Sequence, residues 1–213
     1  MKQKEKNSAI IIPEGCERVL LHSCCAPCSS AIVEWLLSHE IEPIIYYYNP
    51  NIYPLEEYEK RKTESQRHAA SLGIQWLSDD ESGEYSGNGH ETWLHEVNGL
   101  EHEPERGRRC EQCFYIRLLA AARKAQACGI RYFATTLASS RWKNLDQVNA
   151  AGLRAAAKAN EENALRGGGQ SVVFWAQNWR KDGLQERRNQ LLKEYQFYNQ
   201  QYCGCEFSMR KEQ

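Results

Sequence analysis

No window of this sequence is apolar enough for a transmembrane helix. Charge of one sign is not in excess either. Twenty-seven Lys and Arg stand against 28 Asp and Glu, a net charge of -1. No global field therefore draws the chain to nucleic acid or membrane, and a polyanion has to be held by local basic patches. There is no internal repeat and no heptad pattern, which excludes solenoids and coiled coils. The apolar run Ala9-Ile10-Ile11-Ile12 is too short for the core of a signal peptide, so a cytoplasmic chain is expected. Iron–sulfur runs of linear spacing, Cys-x-x-x-Cys-x-x-Cys or the ferredoxin series, are missing as well.

What is present in quantity is cysteine, nine residues in 213. An odd count in a reducing compartment argues against a disulfide framework and for metal or redox chemistry. The chain is organised around Leu20-Leu21-His22-Ser23-Cys24-Cys25-Ala26-Pro27-Cys28-Ser29-Ser30: an apolar strand, three cysteines in five positions, then a helix start. Cys110-Glu111-Gln112-Cys113 adds a second pair and Cys203-Gly204-Cys205 a third. Cys16 and Cys128 stand alone and read as structural cysteines.

Residues 1–17 read as a flexible polar arm and residues 18–213 as a single catalytic α/β domain. Strands are expected at 18–23, 44–48, 74–77, 131–136 and 172–175. Helices are expected after a Ser29 or Ser30 cap, interrupted by Pro43, and over 55–72, 92–97, 110–127, 146–160 and 184–198. The helix at 55–72 reads as charged and exposed, and 82–89 as an exposed loop. Alternating strands and helices imply a parallel, doubly wound sheet, whose ligands gather outside the carboxyl ends of the strands. The cysteine loop, the Asn49 loop, Asp79-Asp80 and the loop at 138–144 all open on that edge.

The residues leave three readings of the thiols open. Cys25-x-x-Cys28 with Cys110-x-x-Cys113 suits a four-cysteine zinc site chemically, although several elements separate the pairs. All-thiolate ligation from different loops also suits an iron–sulfur cluster, with adjacent Cys24 and Cys25 reaching two irons rather than one zinc. A Cys-x-x-Cys at a helix start equally suits a dithiol oxidoreductase. Cys203 and Cys205, two apart around a glycine, would close a small strained ring that is easily reduced. Around them Arg106-Gly107-Arg108-Arg109, Arg141-Trp142-Lys143 and Trp175…Trp179-Arg180-Lys181 interleave cations with aromatics, as RNA-binding surfaces do. Arg108, Arg109, Arg141, Lys143 and Arg180 are the candidate phosphate contacts, with Tyr46, Tyr47, Tyr48 and Tyr53 as further stacking groups. His22 reads as a core histidine, and Asp79 or Asp80 as loop acids able to complete a metal shell.

Six motifs, His22-Ser23-Cys24-Cys25-Ala26-Pro27, Tyr48-Asn49-Pro50-Asn51-Ile52, Arg109-Cys110-Glu111-Gln112-Cys113-Phe114, Thr135-Thr136-Leu137, Lys143-Asn144 and Tyr202-Cys203-Gly204-Cys205-Glu206-Phe207-Ser208, occur in order. Together they resemble the cobalamin-independent epoxyqueuosine reductase family of QueH type, from about residue 19 to 208. The resemblance implies a fold similar to the adenine-nucleotide alpha-hydrolase-like (HUP) superfamily. It implies reduction of the epoxide of epoxyqueuosine in tRNA to queuosine, the last step of queuosine biosynthesis, without cobalamin and with electrons from an external donor. It implies a [4Fe–4S] cluster on Cys24, Cys25, Cys110 and Cys113, and a redox-active pair in Cys203 and Cys205. A second, mononuclear metal, iron, would have Cys28 as a natural ligand. The partner implied is tRNA carrying epoxyqueuosine in its anticodon loop. Two alternatives stand beside it: a zinc-stabilised tRNA-binding module, and an ATP-dependent tRNA-modifying enzyme of the same fold. The latter needs a Gly-rich phosphate loop where this chain has Cys-Cys-Ala-Pro-Cys.

Overall fold

The computed structural model describes residues 10–79 and 89–209. Residues 1–9 of the arm, Asp80 and residues 82–88 of the expected loop lie outside them. The element order is β1 (Arg18–His22), α1 (Ala26–Ser38), β2 (Glu42–Tyr47), α2 (Leu55–Ser71), β3 (Trp76–Ser78), α3 (His90–Glu96) and α4 (Arg108–Ala127). It continues with β4 (Tyr132–Thr135), a 3-10 turn (Thr136–Ser139), α5 (Leu145–Leu165), β5 (Val173–Phe174), α6 (Leu184–Glu194) and a 3-10 turn (Glu206–Ser208).

All five strands are parallel, in the order β3-β2-β1-β4-β5. This is the doubly wound sheet expected from the sequence. β1 is central, and Val19, Leu20 and Leu21 are fully enclosed, as a continuous apolar run covered on both faces should be. α1 packs with α2 and α6, and α4 with α5, flanking the sheet. From β1 the chain winds outward to β2 and β3, then returns to β4 on the other side of β1. The order therefore reverses between β1 and β4, and a crevice opens outside their carboxyl ends. Cys24 follows β1 there and Thr136 follows β4.

The structure moves several expected boundaries for local reasons. α1 begins at Ala26, not after the serines: Cys25 is its N-cap residue with extended backbone, and Pro27 sits in the first turn, where no N–H is needed. Pro43 lies inside β2 rather than ending α1. Glu42 and Ile45 donate to opposite sides, to Glu17 and Gln75, so the Pro43 nitrogen faces the side where β3 has not yet begun. α5 runs on to Leu165, capped at its start by the Asn144 side chain on the amides of Asp146 and Gln147. α6 stops at Glu194, and Gln196 takes a left-handed conformation with φ 51°. The described part of the arm is docked: Ile10 N donates to Asp182 Oδ2, Trp175 Nε1 to the Ile11 carbonyl and the Tyr132 hydroxyl to the Glu14 carbonyl.

Candidate metal and redox centre

The turn from β1 into α1 gathers three thiols. The ligand atoms of Cys24, Cys25 and Cys28 lie within 4.8 Å of one another. Cys24 and Cys25 Sγ are 3.8 Å apart. That is about the edge of a tetrahedron whose metal–sulfur bonds are about 2.3 Å long, so adjacent cysteines can share one ion here, contrary to the expectation from the sequence. The 3-10 turn after β4 supports the group: Cys24 N donates to Thr136 Oγ1 at 3.2 Å, and that hydroxyl points back at Cys24 Sγ at 3.5 Å. From the far side Gln200 Nε2 donates to Cys25 Sγ at 3.0 Å and faces Cys28 Sγ at 3.7 Å.

The electrostatics favour one thiolate in this group. Hydrogen bonds from Cys25 and Cys28 hold Cys24 well below the usual thiol range despite its burial, and the charges of Lys143 and Arg117 add to this. Burial, with Cys24 beside it, keeps Cys25 protonated, and the Cys24 partnership pushes Cys28 up to about 12. Such a set takes up a cation by releasing the remaining protons, with the negative sulfur already matched to positive neighbours. Arg117 is buried on α4 and donates to Asn49 Oδ1, whose amide in turn holds the Ser23 carbonyl at 2.9 Å. His22 is a fully buried core histidine, as expected, between Thr135 Oγ1 at 2.8 Å and the Tyr48 carbonyl at 3.1 Å.

The other four thiols meet at the start of α4. Cys110 and Cys113 lie in its first two turns, and Cys113 packs with Trp93, Val97 and Cys205. Burial pushes Cys113 up to about 12 and raises Cys110 and Cys205. The charge of Cys203 acts on Cys110, Cys113 and Cys205 alike. Lys143 connects the two sets: burial works against its charge, but Cys203, Cys24 and Cys28 outweigh that and raise its pKa. The fold thus brings every cysteine in the candidate set to one edge. Among the described residues, only Cys24, Cys25 and Cys28 close to ligand-sharing distance.

The basic and aromatic patches divide. Arg109 is buried and spends its guanidinium on the carbonyls of Leu100, Glu101 and Glu103. Arg180 holds the carbonyls of Ser140 and Lys143. Both brace loops rather than face solvent. Arg108 is exposed and paired with Glu103 at 2.7 Å, and Arg141 is exposed. Tyr46, Tyr47 and Tyr48 are core, as are Trp175 and Trp179, which pack against Trp35. Trp142 is different: 80% of it is open to solvent, on a loop held by Arg180 and by Arg106 Nε on the Trp142 carbonyl at 2.9 Å. Asp79 pairs with Lys124 and accepts from the Tyr46 hydroxyl. Arg61, Glu57, Arg117 and Gln200 support this edge without having been singled out in the sequence, whereas Thr136 belongs to the quoted Thr135-Thr136-Leu137 motif. The Glu57–Arg61 spacing of four is a helix-pair signal, but it does not say that the pair is buried.

A family model described as epoxyqueuosine reductase QueH matches residues 19–211. Relatives of the same description include one from Haemophilus influenzae, 40% identical over 213 residues, spanning 98% of this chain and 80% of its own length. Another, from Histophilus somni, is 41% identical over 199 residues, spanning 93% of this chain and 75% of its own. Among solved structures the chain is similar to the U34-tRNA thiolase NcsA from Methanococcus maripaludis with its [4Fe-4S] cluster, at TM-score 0.51 and 15% identity. That likeness covers 92% of this chain and 63% of the other, and it is a likeness of fold.

Proposed function

The chain belongs to the epoxyqueuosine reductase QueH family, whose members are oxidoreductases, and from that premise we propose that it reduces the epoxide of epoxyqueuosine in tRNA to the alkene of queuosine. The observation that carries the reading is the gathering of Cys24, Cys25 and Cys28 at the β1–β4 crevice, with Cys203 in electrostatic reach of Cys110, Cys113 and the same Lys143. A packing core has no use for three clustered thiols, one of them held below the usual thiol range beside buried Arg117 and half-buried Lys143; a metal site does.

The proposed ligands of a [4Fe–4S] cluster are Cys24, Cys25, Cys110 and Cys113, with Cys28 turned to a second, mononuclear iron. The donor set fits: gathered thiols, with Cys24 held below the usual thiol range and Thr136 and Gln200 hydrogen-bonded to the sulfurs. Bound there, an iron centre supplies Lewis acidity and one-electron transfer. The chain supplies the rest. Two C–O bonds of the epoxide break, a carbon–carbon double bond forms, and the oxygen leaves as water. That consumes two electrons and two protons. The Cys203 and Cys205 thiols release that number as their sulfurs join, and an external reductant then restores the pair. Lys143 keeps positive charge where the oxygen gains electrons. The exposed indole of Trp142, with Arg141 beside it, offers a stacking face and a phosphate contact to a splayed anticodon nucleotide.

The test is turnover of tRNA carrying epoxyqueuosine by the metal-loaded enzyme without oxygen, read as loss of one oxygen from the modified nucleoside by mass. Cys205→Ser is expected to abolish turnover while keeping its iron. A fully metal-loaded wild type that leaves the epoxide intact with a strong reductant contradicts the assignment.

A further inference from the structure

α2 carries charge where a helix facing the body of the protein would carry leucine. Glu57 and Arg61 are 7% and 2% exposed, and their charged ends meet at 2.7 Å. A buried ion pair is a weak source of stability, since desolvation of both groups offsets most of their attraction. The geometry around the pair indicates a different use. The guanidinium is a two-sided fork. One side grips Glu57 Oε1 through Nε and one terminal nitrogen. The other side donates outward, to the carbonyls of Cys203 at 3.1 Å and Tyr202 at 3.2 Å. Glu57 is fixed in turn by the Tyr198 hydroxyl at 2.7 Å on Oε2.

The clamp is continued along the tail. The Gly204 carbonyl accepts from Tyr53 N at 2.9 Å, and the Cys205 carbonyl from Ser208 N at 2.9 Å. Four consecutive carbonyls, 202 to 205, are therefore each held, although this segment belongs to no strand or α-helix. The guanidinium also lies over the Tyr202 ring, 5.4 Å from its centroid, and the Tyr202 hydroxyl reaches the Tyr53 carbonyl. Gly204 has a φ of +109°, and a Cβ there would come within 2.9 Å of Ile52 Cγ1 and 3.0 Å of an Arg61 nitrogen. The turn is shaped to lie against Arg61 with no room for a side chain between.

We propose that Arg61, oriented by Glu57, is the positioning residue of the Cys203/Cys205 pair: it fixes the backbone between the two thiols so that both face the thiol edge and each other. The inference rests on the reading of those thiols as the redox pair. Arg61 touches neither sulfur and acts through the two carbonyls. A shared fork of this kind is a property of guanidinium; an ammonium cannot hold a carboxylate and two carbonyls in one plane.

The experiment compares wild type, Arg61→Lys and Arg61→Gln, each loaded with metal, in three readouts: kcat and KM with modified tRNA, iron content, and the equilibrium of the Cys203–Cys205 disulfide against a glutathione buffer. Misplacing reacting groups by an ångström costs rate steeply, so both variants are expected to lose about tenfold or more in kcat, with KM within about threefold and iron unchanged. The disulfide is expected to form about tenfold less readily in both, because the thiols spend less time facing one another. A merely structural arginine would lower the melting temperature without moving the disulfide equilibrium of the folded protein. If Arg61→Gln yields too little folded protein, Arg61→Lys carries the test. Variants with wild-type kcat and a wild-type disulfide equilibrium overturn the proposal. A wild type that turns over with Cys203 and Cys205 permanently reduced overturns the parent reading of the pair, whereas a pair that cycles normally in both variants removes Arg61 alone.

Discussion

His68 gives the sharpest stability prediction. It sits on the buried face of α2, edge-on to the rings of Tyr195 and Phe197, each 5.1 Å away. Its Nε2 finds no hydrogen-bond partner among the described residues. Burial lowers its pKa from 6.5 to about 4; Arg67 reinforces this, while Glu34 and Glu64 oppose it. Above pH 6.5 the imidazole is neutral in folded and unfolded chains alike, and it contributes no pH dependence. As pH falls below 6.5 the unfolded chain takes up a proton that the folded protein refuses until about pH 4. Stability is therefore lost over that window, by up to about 3 kcal/mol at about 1.4 kcal/mol per pKa unit. His68→Phe keeps an aromatic ring in the slot and removes the titration. Urea unfolding of both proteins at pH 8, 6.5, 5 and 4 isolates the effect, because acid effects common to both, including any loss of metal from the thiols, cancel in the difference. The variant is expected to gain on the wild type by about 2–3 kcal/mol between pH 8 and pH 4. A difference that stays constant across that range refutes a buried neutral His68.

Three further outcomes follow from particular contacts. Gly152→Ala gains helix propensity but sets a Cβ 2.3 Å from Phe174 Cε1 where α5 crosses β5; overpacking of about 1–3 kcal/mol outweighs the gain of about 1, and a lowered urea midpoint is the readout. Trp142→Ala removes an exposed stacking face from a loop held by its carbonyls, so tRNA binding is expected to weaken by about 1–3 kcal/mol with folding unchanged, measured by filter binding against Trp142→Phe. Cys110→Ser is expected to lower the iron bound per chain, measured by metal analysis; undiminished iron would remove Cys110 from the ligand set.

The sheet was readable because its strands are short, β-rich and separated by helical periods, and because alternation with helices leaves few topologies. The edge location of the site followed from the same rule. What escaped had local causes. Pro43 reads as a breaker until β3 is known to start two residues further along β2. Tyr46, Tyr47 and Tyr48 read as stacking groups, yet an inner parallel strand such as β2 turns both faces inward, and Tyr48 just beyond its end is enclosed too. Arg109 and Arg180 look like phosphate contacts in a basic run, but their partners are carbonyls on other loops, which no local pattern announces. Glu57 and Arg61 look like a solvated i,i+4 pair; only the return of the tail at 202–205 buries them.

The central claim is that the gathered thiols hold iron for a redox reaction. Metal and acid-labile sulfide analysis with a visible spectrum, on protein purified without oxygen, tests it most directly. Iron with sulfide, and a broad visible absorbance that bleaches on reduction, is the result expected. Colourless protein carrying a single zinc, held by the Cys24, Cys25 and Cys28 group, would contradict it.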